Sequence, residues 1–402
     1  MSAISAEWPT ENGVVVRGRV KNYPWYDRID PLYEIPFHQT TNMRWERVSV
    51  EQNTLEPNPQ GILQSVTRHV FSPIRESNSF LYSATSIRVM SLLFQYHQLT
   101  TFQLAAWLGI SRQMLFQHLI RLFRAGVLNR SIPGWFLEDD SDEAGGSGSV
   151  WAIYYGGWPF EKWLADLEPI EWALVTGGDV NAPASQTPTT IRHNMATSEI
   201  LLKSMEVCPG VIGTWGDRIS GEGRMYNYSE QSLAAGIKRR NVGDGVIVTN
   251  SGTAIILETA GASNMSSNKH GSRISDKAKA WVAILATNNI DAYVVFVNSN
   301  ANARPGALEK FVRQGVEMSR EDIVSSHVRE RGQRRVFVAN GYDWFPGERT
   351  IDESFIELNA LSTHTDEIVP LAPADAPVVM TDLVRNTLLS PHTPDWIRNE
   401  YA

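Results

Sequence analysis

Hydrophobic positions fall into clear periods from Ser79 onward and into almost none before it. Residues 1–78 are rich in Pro, Asn, Tyr and Trp, and read as an irregular N-terminal arm that packs on a neighbour. From Ser79 the apolar residues Ile87, Met90, Leu93 and Phe94 recur at helical spacing. TTFQLAAWLGI then predicts a short helix with Thr100 or Thr101 as N-cap and Gly109 at its end. Ser111 caps a third helix, ISRQMLFQHLIRLFRAGVL, whose buried stripe is Leu115, Leu119, Leu122 and Phe123. Two β-prone runs follow in GVLNRSIPGWFLEDDSDEAGGSGSVWAIYY, separated by an acidic, Gly/Ser-rich loop, the pattern of a hairpin with a long tip. Helix, helix, helix, hairpin is the order of a winged helix-turn-helix, placed at 79–157.

A Trp-rich stretch comes next, followed by a Gly/Asn/Pro/Ser segment, GGDVNAPASQTPTT, that reads as a linker, the two together placed at 158–188. Beyond it the periods alternate again. IRHNMATSEILLKSMEV predicts a helix, and GVIGTWGDRI and RMYNYSE predict exposed or edge strands. GDGVIVTNSGTAIILETAG predicts two strands joined by an Asn-Ser-Gly turn. Helices at SDKAKAWVAILATNNI and PGALEKFVRQGVEMS alternate with strands at AYVVFVNS and RRVFVANG. The expected architecture is therefore α/β (α+β): a winged helix followed by an α/β domain with a mixed sheet at 189–345, and a Pro-punctuated C-terminal extension at 346–402 to which the pattern gives no role.

Composition narrows the classes. A chain of 402 residues with 42% hydrophobic and 10% aromatic content has enough apolar surface for two or three cores. Cys208 is the single cysteine, which excludes disulfides within the chain and Cys-rich zinc sites. No run approaches the length needed to span a bilayer and no leader is legible, so the expectation is a cytoplasmic protein without a membrane partner. The Gly-Lys-Ser/Thr core of a phosphate-binding Walker loop does not occur. Tyr226 and Tyr228 are conceivable relaxase-type nucleophiles, but the paired His metal motif of such enzymes is missing.

A formal net charge of −8 argues against general polyanion binding, so a nucleic-acid site must be a local patch. One such patch exists. Between Ser79 and Leu137 there are five Arg (Arg88, Arg112, Arg121, Arg124, Arg130) and no Asp, Glu or Lys. On a recognition helix Arg112, Gln113, Gln117 and His118 sit where base edges are read. Arg121, Arg124 and Arg130, with Arg88, sit where phosphates of double-stranded DNA are held. The loop EDDSDE carries five acids and would repel a phosphate backbone unless it points away or masks the basic face. Winged helices also serve as protein-interaction modules, and some dimerise, so a protein partner or a homodimer is the competing reading.

The second candidate site is an acid pair. Asp244 opens one predicted strand and Glu258 closes the next, so adjacent strands would bring the two carboxylates to one end of the sheet. Restriction-type nucleases use such a pair to hold Mg²⁺, with a nearby Lys to orient the attacking water. Glu199 on the preceding helix is a candidate third metal ligand. The Lys expected two residues after the Glu is replaced by Ala260, leaving Lys277 or Lys279 on the next helix as the substitute catalytic amine. The plain alternative makes Asp244 a turn residue and Glu258 a surface charge. Two basic clusters, Lys238, Arg239 and Arg240 before the strands and Lys269, His270 and Arg273 after them, could follow a nucleic-acid backbone or be solvated loop charge.

Taken together, the winged helix, the linker, IRHNMATSEILL, the strands DGVIV and AIILE, and the helix opening SDKAKAW resemble the replication-relaxation family of plasmid and integrated-element proteins. The resemblance spans about residues 80–315. It implies a DNA-binding protein of a plasmid, phage or integrated element, acting in replication, relaxation or mobilisation, with a degenerate restriction-endonuclease-like domain. Family members usually carry Pro-Asp where this chain has Gly243-Asp244, and an acidic residue where it has Ala260. Those departures set a Mg²⁺-dependent endonuclease acting through Asp244 and Glu258 behind a non-catalytic or weakly catalytic DNA binder.

Overall fold

A computed structural model describes residues 6–7, 43–46, 71–133, 149–154, 158–176, 191–217, 243–260, 268–287, 291–298, 306–319, 325–340, 344, 350–351 and 353–401. The EDDSDE loop, the segment 177–190, Tyr226, Tyr228, Lys238, Arg239, Arg240 and the side chains of Lys269 and His270 lie outside them. Two strands, β1 (Ala6–Glu7) and β2 (Met43–Glu46), come from the stretch expected to be irregular.

The first group of elements is helical. Ser83 caps α1 (Ala84–Tyr96) by accepting from the Ser86 N–H. A short strand, β3 (Gln98–Thr100), leads into α2 (Thr101–Leu108). Here Thr100 and Gln103 form a reciprocal capping box that satisfies two otherwise orphaned backbone donors. Gly109 ends α2 at φ +65°, a conformation glycine adopts without steric cost. After only Ile110 and Ser111, whose hydroxyl accepts from the Met114 N–H at 3.3 Å, comes α3 (Arg112–Arg124). Leu115, Leu119, Leu122 and Phe123 are buried, as their spacing requires. Two further strands, β4 (Leu128–Pro133) and β5 (Val150–Ile153), pair antiparallel, and the small sheet runs β2-β4-β5-β3.

The Trp-rich stretch is helical. It forms α4 (Trp158–Ala165) and α5 (Pro169–Thr176). Phe160 and Trp163, three residues apart and so on one helix face, are buried, and the Trp163 indole N–H donates to the Leu81 carbonyl at 3.1 Å.

The second group is built on α6 (Ile191–Val207) and a seven-stranded mixed sheet. Its strands are β6 (Val211–Gly216), β7 (Gly245–Thr249), β8 (Ala254–Ala260), β9 (Ala292–Asn298) and β10 (Val336–Asn340), with two more past residue 345. Helix α7 (Asn268–Thr287) connects β8 to the parallel β9. Helices α8 (Ala307–Met318) and α9 (Ser326–Gln333) connect β9 to the parallel β10. The chain then adds β11 (Thr350–Ile351), which pairs with β1, followed by α10 (Glu353–Ile356), β12 (Asn359–Ser362) and β13 (Ile368–Pro370). The order across the large sheet is β13-β12-β10-β9-β8-β7-β6, so the C-terminal extension completes one edge. Period-two alternation gives the sheet two apolar faces. Val246, Val248, Ile256 and Val294 join the core under α7 and α8, whereas Ile247, Ile255, Leu257 and Val295 join the core shared with α6.

That shared core runs without a break into the helical group, where it includes Leu93, Trp107, Leu119 and Trp151. Polar contacts reinforce the junction. The Tyr96 hydroxyl meets Thr214 Oγ1 at 3.2 Å, and His97 Nε2 lies 2.8 Å from the Asp217 carboxylate. The last elements, α11 (Asp382–Leu389) and α12 (Asp395–Arg398), close over both groups. His392 sits against Ser91 Oγ at 3.1 Å, and the Trp396 indole N–H donates to the Ala106 carbonyl at 3.1 Å. Among the described residues, no helix is long and apolar enough to cross a membrane.

Candidate nucleic-acid interface and acid cluster

Helix α3 presents Gln113, Met114 and Gln117 to solvent, while its Leu stripe faces the core. Its basic residues are held by aromatic rings. The Arg112 guanidinium stacks 4.2 Å from the Phe102 ring centroid, and that of Arg121 3.8 Å from Phe80. Arg124 lies 5.9 Å from Phe71, and Arg130 lies 5.9 Å from Trp151 while donating to Ser149 Oγ at 2.8 Å. Contact of this kind fixes the plane of a guanidinium against a ring. All four are half-buried.

Two residues expected on this face are placed otherwise. His118 is 8% exposed, stacked on Phe80 at 4.4 Å, with Nδ1 3.0 Å from Ser86 Oγ. Burial, with the nearby Arg121 charge, holds its pKa below the usual value, so the ring is a neutral packing element between α3 and α1. The helical period that set Gln117 outward turns the next residue inward. Arg88 pairs with Asp395 of α12 at 3.3 Å, a contact that no spacing within its own helix could show.

The acid cluster forms at the end of β7 and β8. Strand parity decides its layout: Glu258 shares the face of Ile256 and so points to α7, whereas Thr259 shares the face of Leu257 and points to α6. On α7, Lys277 and Trp281 lie one turn apart. Lys277 Nζ pairs with Glu258 Oε2, and the Trp281 indole N–H donates to Glu258 Oε1 at 2.7 Å. On α6, His193 Nε2 lies 3.1 Å from Asp244 Oδ1, and Thr197 Oγ1 meets Thr259 Oγ1 at 2.8 Å. The Thr259 N–H donates to Asp244 Oδ2 at 2.6 Å, which ties the two strand ends together.

These partners set the charges. Burial would raise the Asp244 pKa, but the His193 and Lys277 charges outweigh it and hold it at about 2. Burial pushes Glu258 up, to about 7, and the Asp244 charge adds to this against the pull of Lys277. Burial works against a charged amine at Lys277, yet the Glu258 and Asp244 carboxylates raise its pKa and keep it protonated. His193 is raised in the same way by Asp244.

The structure thus brings together Asp244, Glu258 and Lys277 of the expected set. Lys279 is half-buried on α7 and is not the amine that reaches Glu258. Glu199 turns to the helical group, where it accepts from Gln103 Nε2 at 3.0 Å. Among the described residues, no group of three His, Cys, Asp or Glu is placed to hold a metal ion. Mg²⁺ requires carboxylate oxygens open to it, and here protein donors already engage both carboxylates, so the donor set as arranged does not fit the ion. His193 and Trp281 are members that the sequence reasoning did not assign. The available signals were the four-residue step from Lys277 to Trp281 and the His-Asn pair in IRHNMATSEILL. Comparison with protein-family models, curated proteins and solved structures gives no match for this chain.

Proposed function

We propose that the chain is a DNA-binding protein that engages duplex DNA through a winged helix formed by α1–α3 and the β3-β5-β4 sheet. The observation that carries this reading is the face of α3: a capped N-terminus offering Gln113 and Gln117, flanked by ring-stacked Arg112 and Arg121, in a stretch of chain without a single acidic residue. Amide side chains at a helix N-terminus suit base edges in the major groove, and fixed guanidinium forks suit phosphates. Placement in the replication or mobilisation of a plasmid or integrated element follows from the resemblance described above. On the same reading the α6-β6-β7-β8-α7-β9 unit is restriction-endonuclease-like, with Asp244 and Glu258 at the positions of a cleaving pair. Its engaged carboxylates favour binding over cutting.

Fluorescence anisotropy with a random-sequence duplex tests the proposal. Wild-type protein should bind, and Arg112→Ala/Arg121→Ala should lose at least about tenfold in affinity, because binding to a duplex of random sequence rests on phosphate contacts. Equal affinity in the two proteins would remove α3 from the interface and favour a protein partner.

A further inference from the structure

We propose that the Lys277 ammonium is a built-in replacement for a divalent cation: the Asp244–Glu258 pair holds the protein's own amine, and the wild-type centre takes up neither Mg²⁺ nor Mn²⁺. The inference goes beyond DNA binding, and it uses the nuclease-like reading of the sheet only to name the ion replaced.

Three observations meet here. Glu258 is 3% exposed, a depth at which an unpaired carboxylate is strongly disfavoured, and the side chains that meet its two oxygens are an amine and an indole donor. The amine is that of Lys277: its stem leaves α7 at a half-exposed position and its Nζ reaches Glu258 Oε2. Each of the other three carboxylate oxygens meets a protein donor, the Trp281 indole at Glu258 Oε1, the Thr259 N–H at Asp244 Oδ2 and His193 at Asp244 Oδ1. The two carboxylates thus face one amine and one imidazole of the protein itself, in the space a divalent cation would take. The missing Lys at Ala260 agrees with this arrangement. An amine there would lie on the same face as Glu258, beside a carboxylate that Lys277 already neutralises.

The test is cation binding by the full chain, read by thermal unfolding and by titration calorimetry with Mg²⁺ and with Mn²⁺ at constant ionic strength. Wild-type protein should show no saturable binding and no rise in unfolding temperature. Lys277→Ala, and the bulkier Lys277→Gln as a second variant, should gain saturable Mn²⁺ binding and a rise of a few degrees, because a ligand that binds only the folded state stabilises it. Adding Glu258→Gln should abolish that gain. Saturable binding by wild-type protein that is lost in Glu258→Gln would overturn the proposal, since the ion would then displace the amine. So would absence of binding in both Lys277 variants, since the amine would then replace nothing. Neither result bears on the anisotropy measurement, so failure here and failure of the DNA-binding reading remain separable.

Discussion

At the scale of single residues, buried imidazoles give the most direct consequences. His392 is enclosed between α1 and α12, and burial, aided by the Arg88 charge, lowers its pKa from 6.5 to about 3. The unfolded chain therefore takes up a proton below pH 6.5 that the folded chain refuses until about pH 3. Stability should fall progressively as pH drops through this window, and His392→Gln should flatten that slope in urea unfolding measured across it. An unchanged slope would remove His392 as a cause. Asp244 has the opposite sign. Its carboxyl is held down to about 2, so its contribution is present above its ordinary value of 3.8 and is lost only as pH falls toward 2. Asp244→Asn should then weaken the fold near neutrality and leave the acid limb shallower. Little of this was legible in the chain. Asp244, Glu258 and Lys277 could be named from strand ends and a helix opening, whereas His118 and His392 owe their states to partners many residues away.

Elements were far easier to read, because apolar period and capping chemistry are local. The short turn from α2 to α3, the strand runs of β4 and β5 and the alternation within β7 and β8 all follow from residues within a few positions of one another. Strand register and helix docking depend on distant neighbours. At Gly315 of α8, a Cβ would lie 2.2 Å from the Ser275 carbonyl oxygen of α7, so the absence of a side chain sets how closely the two helices approach. Gly315→Ala should cost about 1–3 kcal/mol, the usual range for overpacking a close contact, visible as a lowered urea midpoint. A neutral result would mean that α8 can shift away without loss.

The whole molecule departs most from a reading by segments. The Trp-rich stretch joined the helical group as α4 and α5, and the C-terminal extension supplied β12, β13 and the two helices that close the junction. Both outcomes come from contacts between residues far apart in sequence, to which periodicity is blind. One hydrophobic core links the helical group to the sheet. Urea unfolding followed by Trp fluorescence and by far-UV circular dichroism should therefore give coincident single transitions, whereas separated midpoints would show two independently stable bodies. The same union bears on the proposed function, because Tyr96, His97 and His392 fix the α3 face, the proposed DNA surface, relative to the Asp244 cluster.

The central claim is that a chain of net charge −8 carries a local DNA-binding face, and the dependence of duplex affinity on salt tests it most directly. The logarithm of the association constant should fall linearly with the logarithm of salt concentration, with a slope of about −0.9 for each phosphate contact and a shallower slope, by about that amount, in Arg121→Ala. Affinity that is absent at low salt, or that does not change with salt, would contradict it.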